Sequence, residues 1–191
     1  MSPSSKPNAS SLLPAASAPP AQASTDAPVA PAPSPSPRSP QEQARFETAL
    51  IELFEQKIAF NQVLGLKILS VQPGDVRARI DMKPELIGSF THGRLHGGVI
   101  SATLDAMGGL AIMVAGAARH PHDSAMQVMG RFVKMGTIDL RIDYLRQGIG
   151  KHFIATAEVT RLGGRVASTQ MRFVNDEGKL IATGAAAYIV A

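Results

Sequence analysis

The sequence predicts an α+β domain in which an antiparallel sheet of about six strands wraps a long central helix. Three observations carry this reading. Residues 95–118 (LHGGVISATLDAMGGLAIMVAGAA) form one apolar run, with Asp105 its sole formal charge between Arg94 and Arg119. Around it lie segments that alternate apolar and polar residues, the period of a strand with one buried face. These segments are joined by connections as short as Pro73-Gly74-Asp75, Leu162-Gly163-Gly164 and Asn175-Asp176-Glu177-Gly178, and hairpin connections imply antiparallel pairing. A helix that is apolar on nearly every side has to be enclosed, and the sheet is what remains to enclose it.

Taken in order, the first 40 residues are mostly Pro, Ala and Ser. Such a composition buries too little to offset its ordering entropy, so it is expected to be disordered, with the folded domain spanning 41–191. Ser39-Pro40-Gln41-Glu42 fits a capping box with proline at the first helical position. Phe46, Ala49, Leu50, Leu53, Phe54 and Ile58 then recur at helical spacing, predicting an amphipathic helix over about 41–60 that closes between Asn61 and Gly65. Strands at 66–72 and 76–82 make a hairpin. Residues 84–95 are an irregular approach with Gly88 and Gly93 as flexible points. After the central helix, Ala125, Val128, Met129, Phe132 and Met135 predict a short helix capped by Asp123 and ended by Gly136. Thr137 to Arg146 returns to period two, with Ile138, Leu140, Ile142 and Tyr144 on one face and Thr137, Asp139, Arg141 and Asp143 on the other. Strands at about 152–162, 165–175 and 180–190 complete the sheet.

Composition narrows the function. The chain has no cysteine, which removes disulfides, zinc-thiolate sites and cysteine nucleophiles, and no cofactor or metal is expected. The net charge is +4, of which Lys6, Arg38 and Asp26 account for +1 in the tail. That diffuse excess suits an anionic small molecule better than nucleic acid, and the scarcity of aromatics, with no Trp, argues against base-stacking platforms. The apolar run is long enough to cross a membrane, but a mid-run Asp and five glycines argue against a span. The tail reads as neither a secretory nor an Arg-rich transit segment, so a cytoplasmic protein is expected.

Asp105 is the residue that asks for an explanation, because a buried carboxylate is costly unless paired or hydrogen-bonded. His96-Gly97-Gly98 places two residues without side chains at the start of the helix, where backbone N–H groups are free to meet a ligand. Asp105 lies seven residues after Gly98, close to two turns, and so shares its helix face at about 10 Å along the axis. A donor-rich helix start and a carboxylate on one stripe suggest acyl transfer or hydrolysis. The competing reading is a structural helix whose Asp105 pairs with a neighbouring donor. The glycines Gly108 and Gly109, each costing about 1 kcal/mol against Ala, predict close approach of the helix to the sheet or a partner helix. The methionines at 107, 113, 126, 129 and 135 read mostly as core.

With these residues in view the chain resembles the PaaI-type hot-dog fold acyl-CoA thioesterases. They share this element order and carry HGG followed by an acidic residue nine positions after the His, as His96-Gly97-Gly98 and Asp105 do here. Thr137 to Arg146 looks like the strand that follows the family's helices, and the resemblance spans roughly 45–191. The resemblance implies hydrolysis of acyl-CoA to the free acid and CoA, with the branch acting on medium- and long-chain esters closest. It implies that Asp105 is the general base or nucleophile, that the Gly97 N–H polarises the thioester carbonyl, and that His96 positions loop or substrate. It further implies a homodimer or homotetramer in which the Asp of one subunit serves the HGG of the other. Many relatives carry Asn six residues before the HGG histidine, where this chain has Phe90; Ser89 and His92 are the polar alternatives nearby. Arg146, Lys151 and Arg165, at strand ends, are the candidates for the phosphates of CoA, with Gly98 beside the reacting group. A hot-dog hydratase or dehydratase, or an acyl-CoA-binding module without turnover, are the alternative functions, and acyl carrier protein is the alternative carrier.

Overall fold

In the computed structural model, residues 36–190 are described, so the expectation for the tail up to residue 35 lies outside the described residues. Helix α1 runs Pro40–Glu52, with Ser39 accepting from the Glu42 N–H. The expected reciprocal arm of that capping box is missing. The Glu42 carboxylate turns instead to the Ala125 N–H (3.2 Å) and to Arg45. The helix does not continue unbroken to residue 60. It widens into a π turn over Leu53–Lys57, breaks at Ile58, whose backbone is extended, and resumes as α2 over Ala59–Leu64. The break is held by the buried Asn61 side chain, which donates to the Phe54 carbonyl (3.0 Å), and by Glu55, which accepts from the Ile68 N–H (2.7 Å).

The predicted hairpin is β1 (Lys67–Gln72) and β2 (Asp75–Asp81). A 3-10 turn over Pro84–Leu86 leads into a two-stranded ribbon, β3 (Ile87–Ser89) and β4 (Arg94–Leu95). Gly88 in this ribbon is a contact point and not the flexible one expected: a Cβ there would lie 2.6 Å from the His96 Cα. The central helix α3 covers Gly97–Arg119, and α4 covers Ala125–Arg131. Ser124, not Asp123, caps α4, in a reciprocal box with Gln127; Asp123 instead meets Arg131 at 2.6 Å, which holds its carboxyl below the usual range. Gly136 begins a strand and does not end the helix.

Strands β5 (Gly136–Tyr144), β6 (His152–Leu162), β7 (Val166–Asn175) and β8 (Leu180–Ile189) join β1 and β2 in one antiparallel sheet of six strands, ordered β1-β2-β6-β7-β8-β5. The sheet wraps α3, which packs chiefly on β6 and β7. The core between them contains Leu104, Leu110, Ile112, Phe153 and Phe173, with the last two rings stacked at 5.3 Å. Although α3 is long and apolar enough to span a membrane, most of it is buried against the sheet. Among the methionines, Met107 and Met113 are core, but Met126 is 84% exposed, because it sits on the outer side of α4.

Arg38 lies before the domain boundary expected at residue 41, yet it is built into the fold. Its guanidinium donates to the carbonyls of Ala117 (2.9 Å), His120 (3.2 Å) and Asp123 (2.8 Å) and lies over the Phe46 ring. It thereby satisfies two carbonyls, of Ala117 and His120, that the C-terminal end of α3 leaves open, and ties them to the loop before α4. Arg38→Ala is expected to lower stability by about 1–3 kcal/mol, the usual loss for charged hydrogen bonds. A melting curve that does not move would disprove that role.

Candidate active site

The first half of the site is the start of α3. His96 is the N-cap, and its Nδ1 accepts from the Gly98 N–H at 2.8 Å. Of the two donors expected from the glycine pair, Gly98 is therefore consumed internally. The Gly97 N–H, at the first helical position, has no intrahelical partner and is the donor that remains. The ribbon β3–β4 fixes this end: the His96 N–H bonds to the Leu86 carbonyl and the Leu95 N–H to the Gly148 carbonyl, both at 2.8 Å. The Tyr144 hydroxyl, at the end of β5, donates to the Gly97 carbonyl at 3.0 Å. A shallow cleft of about 400 Å³ opens here between Arg94, Gly97, Tyr144 and Arg146.

The second half is Asp105, half-buried two turns further on. The Thr137 hydroxyl donates to its Oδ1 at 2.8 Å. The Tyr188 hydroxyl donates to its backbone carbonyl at 2.9 Å and to the same Oδ1 at 3.2 Å. Both donors converge on one carboxylate oxygen, and among the described residues no donor reaches Oδ2. Tyr188 is itself buried. Burial, then the Asp105 charge and the hydrogen bond to it, push its phenol well above its ordinary range, so it is a neutral donor at any working pH.

Thr137 comes to this place through an irregularity. On strict alternation it shares a face with Asp139, Arg141 and Asp143, away from the helix. A bulge between Thr137 and Asp139 shifts the register, so that Thr137 pairs with Tyr188, Leu140 with Ala186 and Ile142 with Gly184. Thr137, Leu140 and Ile142 then face the helix together, and Ile138, expected inside, is 57% exposed. Bulges of this kind re-aim a side chain.

Residues 92–182 match the family model of the thioesterase superfamily. The chain is 35% identical over 139 residues to the medium/long-chain acyl-CoA thioesterase YigI of Salmonella typhimurium and equally to that of Escherichia coli K12, covering 73% of this chain and 90% of the relative. The chain belongs to the thioesterase superfamily. A solved thioesterase-superfamily protein from Shewanella oneidensis is 36% identical, with a TM-score of 0.73 over 80% of this chain and 99% of its own. The hot-dog architecture that the family resemblance implied, a sheet wrapped around one long helix, is the one this thioesterase has.

The remaining predicted site residues of the thioesterase are dispersed. Arg146 and Lys151 lie at the sheet end that carries the start of α3, and the Arg146 guanidinium donates to the Leu180 carbonyl at 2.9 Å. Arg165 lies between β6 and β7 at the opposite end, separated from Lys151 by the whole of β6. The three therefore do not form one phosphate site within a chain. In the β3–β4 turn, His92 Nδ1 is 2.8 Å from the Thr91 hydroxyl and 3.5 Å from that of Ser89, so Ser89 and His92 bond locally. Phe90 is 92% exposed at the tip of this turn. A larger cleft of about 460 Å³ lies on the outer face of the sheet, beside Arg141, Glu158 and Arg172. It is remote from both halves of the site, so size does not locate the chemistry. Thr137 and Tyr188 went unrecognised in the sequence as site residues, because the bulge that aims Thr137 and the glycine that admits Tyr188 leave no periodic signal.

Proposed function

We propose that this thioesterase hydrolyses acyl-CoA, with medium- to long-chain fatty acyl groups preferred, and that Asp105 and Gly97 carry the chemistry. The supporting observation is the Asp105 carboxylate, with Oδ1 occupied by two donors and Oδ2 open. Held in that rotamer, Oδ2 takes a proton from the water that attacks the thioester carbonyl carbon. The developing oxyanion is stabilised by the Gly97 N–H and the positive end of the α3 dipole. Collapse breaks the C–S bond, and the CoA sulfur leaves with the proton delivered back from Asp105. His96 fixes the helix start and takes no proton in this scheme. No cofactor enters it.

Within one chain Gly97 and Asp105 are about 12 Å apart along α3 by the helical rise. Strand β5 relates the two halves: Tyr144 at one end touches Gly97, and Thr137 at the other touches Asp105. β5 is also a sheet edge, with Ile138 and Tyr144 exposed on it and Leu145 exposed just past its end. Antiparallel pairing of this edge with its copy sets the Gly97 end of each chain opposite the Asp105 end of the other. The proposed enzyme, cytoplasmic in this reading, is thus a homodimer, or a homotetramer made of two such dimers, with each site shared.

Thiol release from CoA esters ranging from acetyl to palmitoyl tests the activity. Turnover with an optimum among medium and long chains supports it. Acyl-CoA binding without turnover would instead make this a binding module, the reading that Phe90 in place of the relatives' Asn favours. The shared site has its own test. Chains carrying Asp105→Asn and chains carrying Gly97→Pro, each inactive alone, are unfolded and refolded together. Random pairing leaves half the dimers mixed, each with one intact site, so about a quarter of wild-type activity should return. No recovery in demonstrably mixed dimers would place both groups in one chain's site.

A further inference from the structure

We propose that Tyr188 is a positioning residue for the Asp105 carboxylate, and that Gly108 is the notch in α3 that admits its hydroxyl. This rests on the reading of Asp105 as the base. Three independent features of the fold converge on it. Tyr188 and Thr137 are cross-strand partners on β8 and β5, and their hydroxyls meet the same Oδ1 from neighbouring strands. A carboxylate gripped on one oxygen by two donors from a rigid sheet has its other oxygen fixed in direction. Second, the phenol also binds the Asp105 carbonyl, which ties the helix backbone at that residue to the same sheet position. Third, a Cβ at Gly108 would stand 2.2 Å from the Tyr188 hydroxyl oxygen. Glycine is unfavourable inside a helix, and here no other residue leaves room for the phenol to reach Asp105. Gly109, its neighbour, has a different environment: a Cβ there would meet the end of the flexible Met135 side chain, at 3.3 Å.

A purely structural tyrosine and a positioning one differ in what their loss does. Tyr188→Phe keeps the ring in the core and removes the two hydrogen bonds. It is expected to lower kcat by about tenfold or more, in line with a hydrogen bond to a charged group, and to leave KM within about twofold, since no substrate contact is lost. On the residual rate of Asp105→Asn the same substitution should have no further effect, because it acts through that carboxylate. Gly108→Ala keeps the phenol but displaces its oxygen and the ring carbon that bears it, which a Cβ would approach to 2.2 and 2.8 Å, and should lower kcat at least as far. The double variant should be no slower than Gly108→Ala alone, since the hydrogen bonds are already lost there. Gly108→Ala also serves as the test if Tyr188→Phe does not fold. Unchanged kcat in Tyr188→Phe, or an equal loss with and without the Asp105 carboxylate, would overturn the proposal. If instead Asp105→Asn retains full hydrolysis, it is the assignment of the base that fails, and that outcome is distinguishable from indifference to Tyr188 in an enzyme that needs Asp105.

Discussion

Asp105→Asn is expected to lower kcat by about 10²–10⁴-fold, the range a positioned general base contributes, while the protein folds and binds acyl-CoA as before. The amide is isosteric, and its oxygen can still accept from Thr137 and Tyr188, which now hold Oδ1 at 2.8 and 3.2 Å. What is removed is the ability of Oδ2 to take a proton. The asparagine variant is therefore cleaner than Asp105→Ala, which would leave the buried Tyr188 hydroxyl without its side-chain acceptor and mix a stability loss with a chemical one. The measurement is thiol release on the best ester beside a melting curve for each variant. Full hydrolysis by a folded Asp105→Asn would remove Asp105 from the mechanism.

Gly97→Pro is expected to reduce kcat by about 10²–10³-fold, the usual loss when one oxyanion donor is deleted, with little change in melting temperature. Proline is well tolerated at the first helical position, where no intrahelical hydrogen bond is lost. The preceding residue already has the extended backbone that a following proline requires: His96 has φ −68° and ψ 138°. A Cβ at position 97 would meet only the Tyr144 ring, at an ordinary 3.5 Å. The substitution thus deletes one N–H and little else. Gly97→Ala is its control, since alanine keeps the donor and fits the same space. If Gly97→Pro were as fast as Gly97→Ala, the carbonyl would have to be polarised elsewhere.

The element order, the long apolar helix and the odd carboxylate within it were legible in the sequence, because they depend on local periodicity and on the cost of burying a charge. The six strands fall where alternation and turn residues place them. His96-Gly97-Gly98 opens α3 and Asp105 stands two turns on. These features need only the helical rise and a residue count. The break at Ile58 was not legible, since its cause is Asn61 and Glu55 reaching residues brought close by folding. Nor was the anchoring of Arg38, whose three carbonyl acceptors lie 79 to 85 residues away.

By itself, then, the sequence determined the central helix and the six strands of the sheet, which helix is enclosed, and that a carboxylate and a bare helix start share one element. Tertiary structure decided how the carboxylate is held and which donor is left free. His96 folds back on the Gly98 N–H, so that only Gly97 offers one. The bulge at Ile138 exchanges an apolar side chain for Thr137 on the helix-facing side, and Gly108 lets the Tyr188 hydroxyl through to the same oxygen. The physical reason is common to all three. A periodic pattern reports which face of an element is buried, whereas a hydrogen bond between distant residues depends on register and on clearances of a few ångströms, which only the folded chain sets.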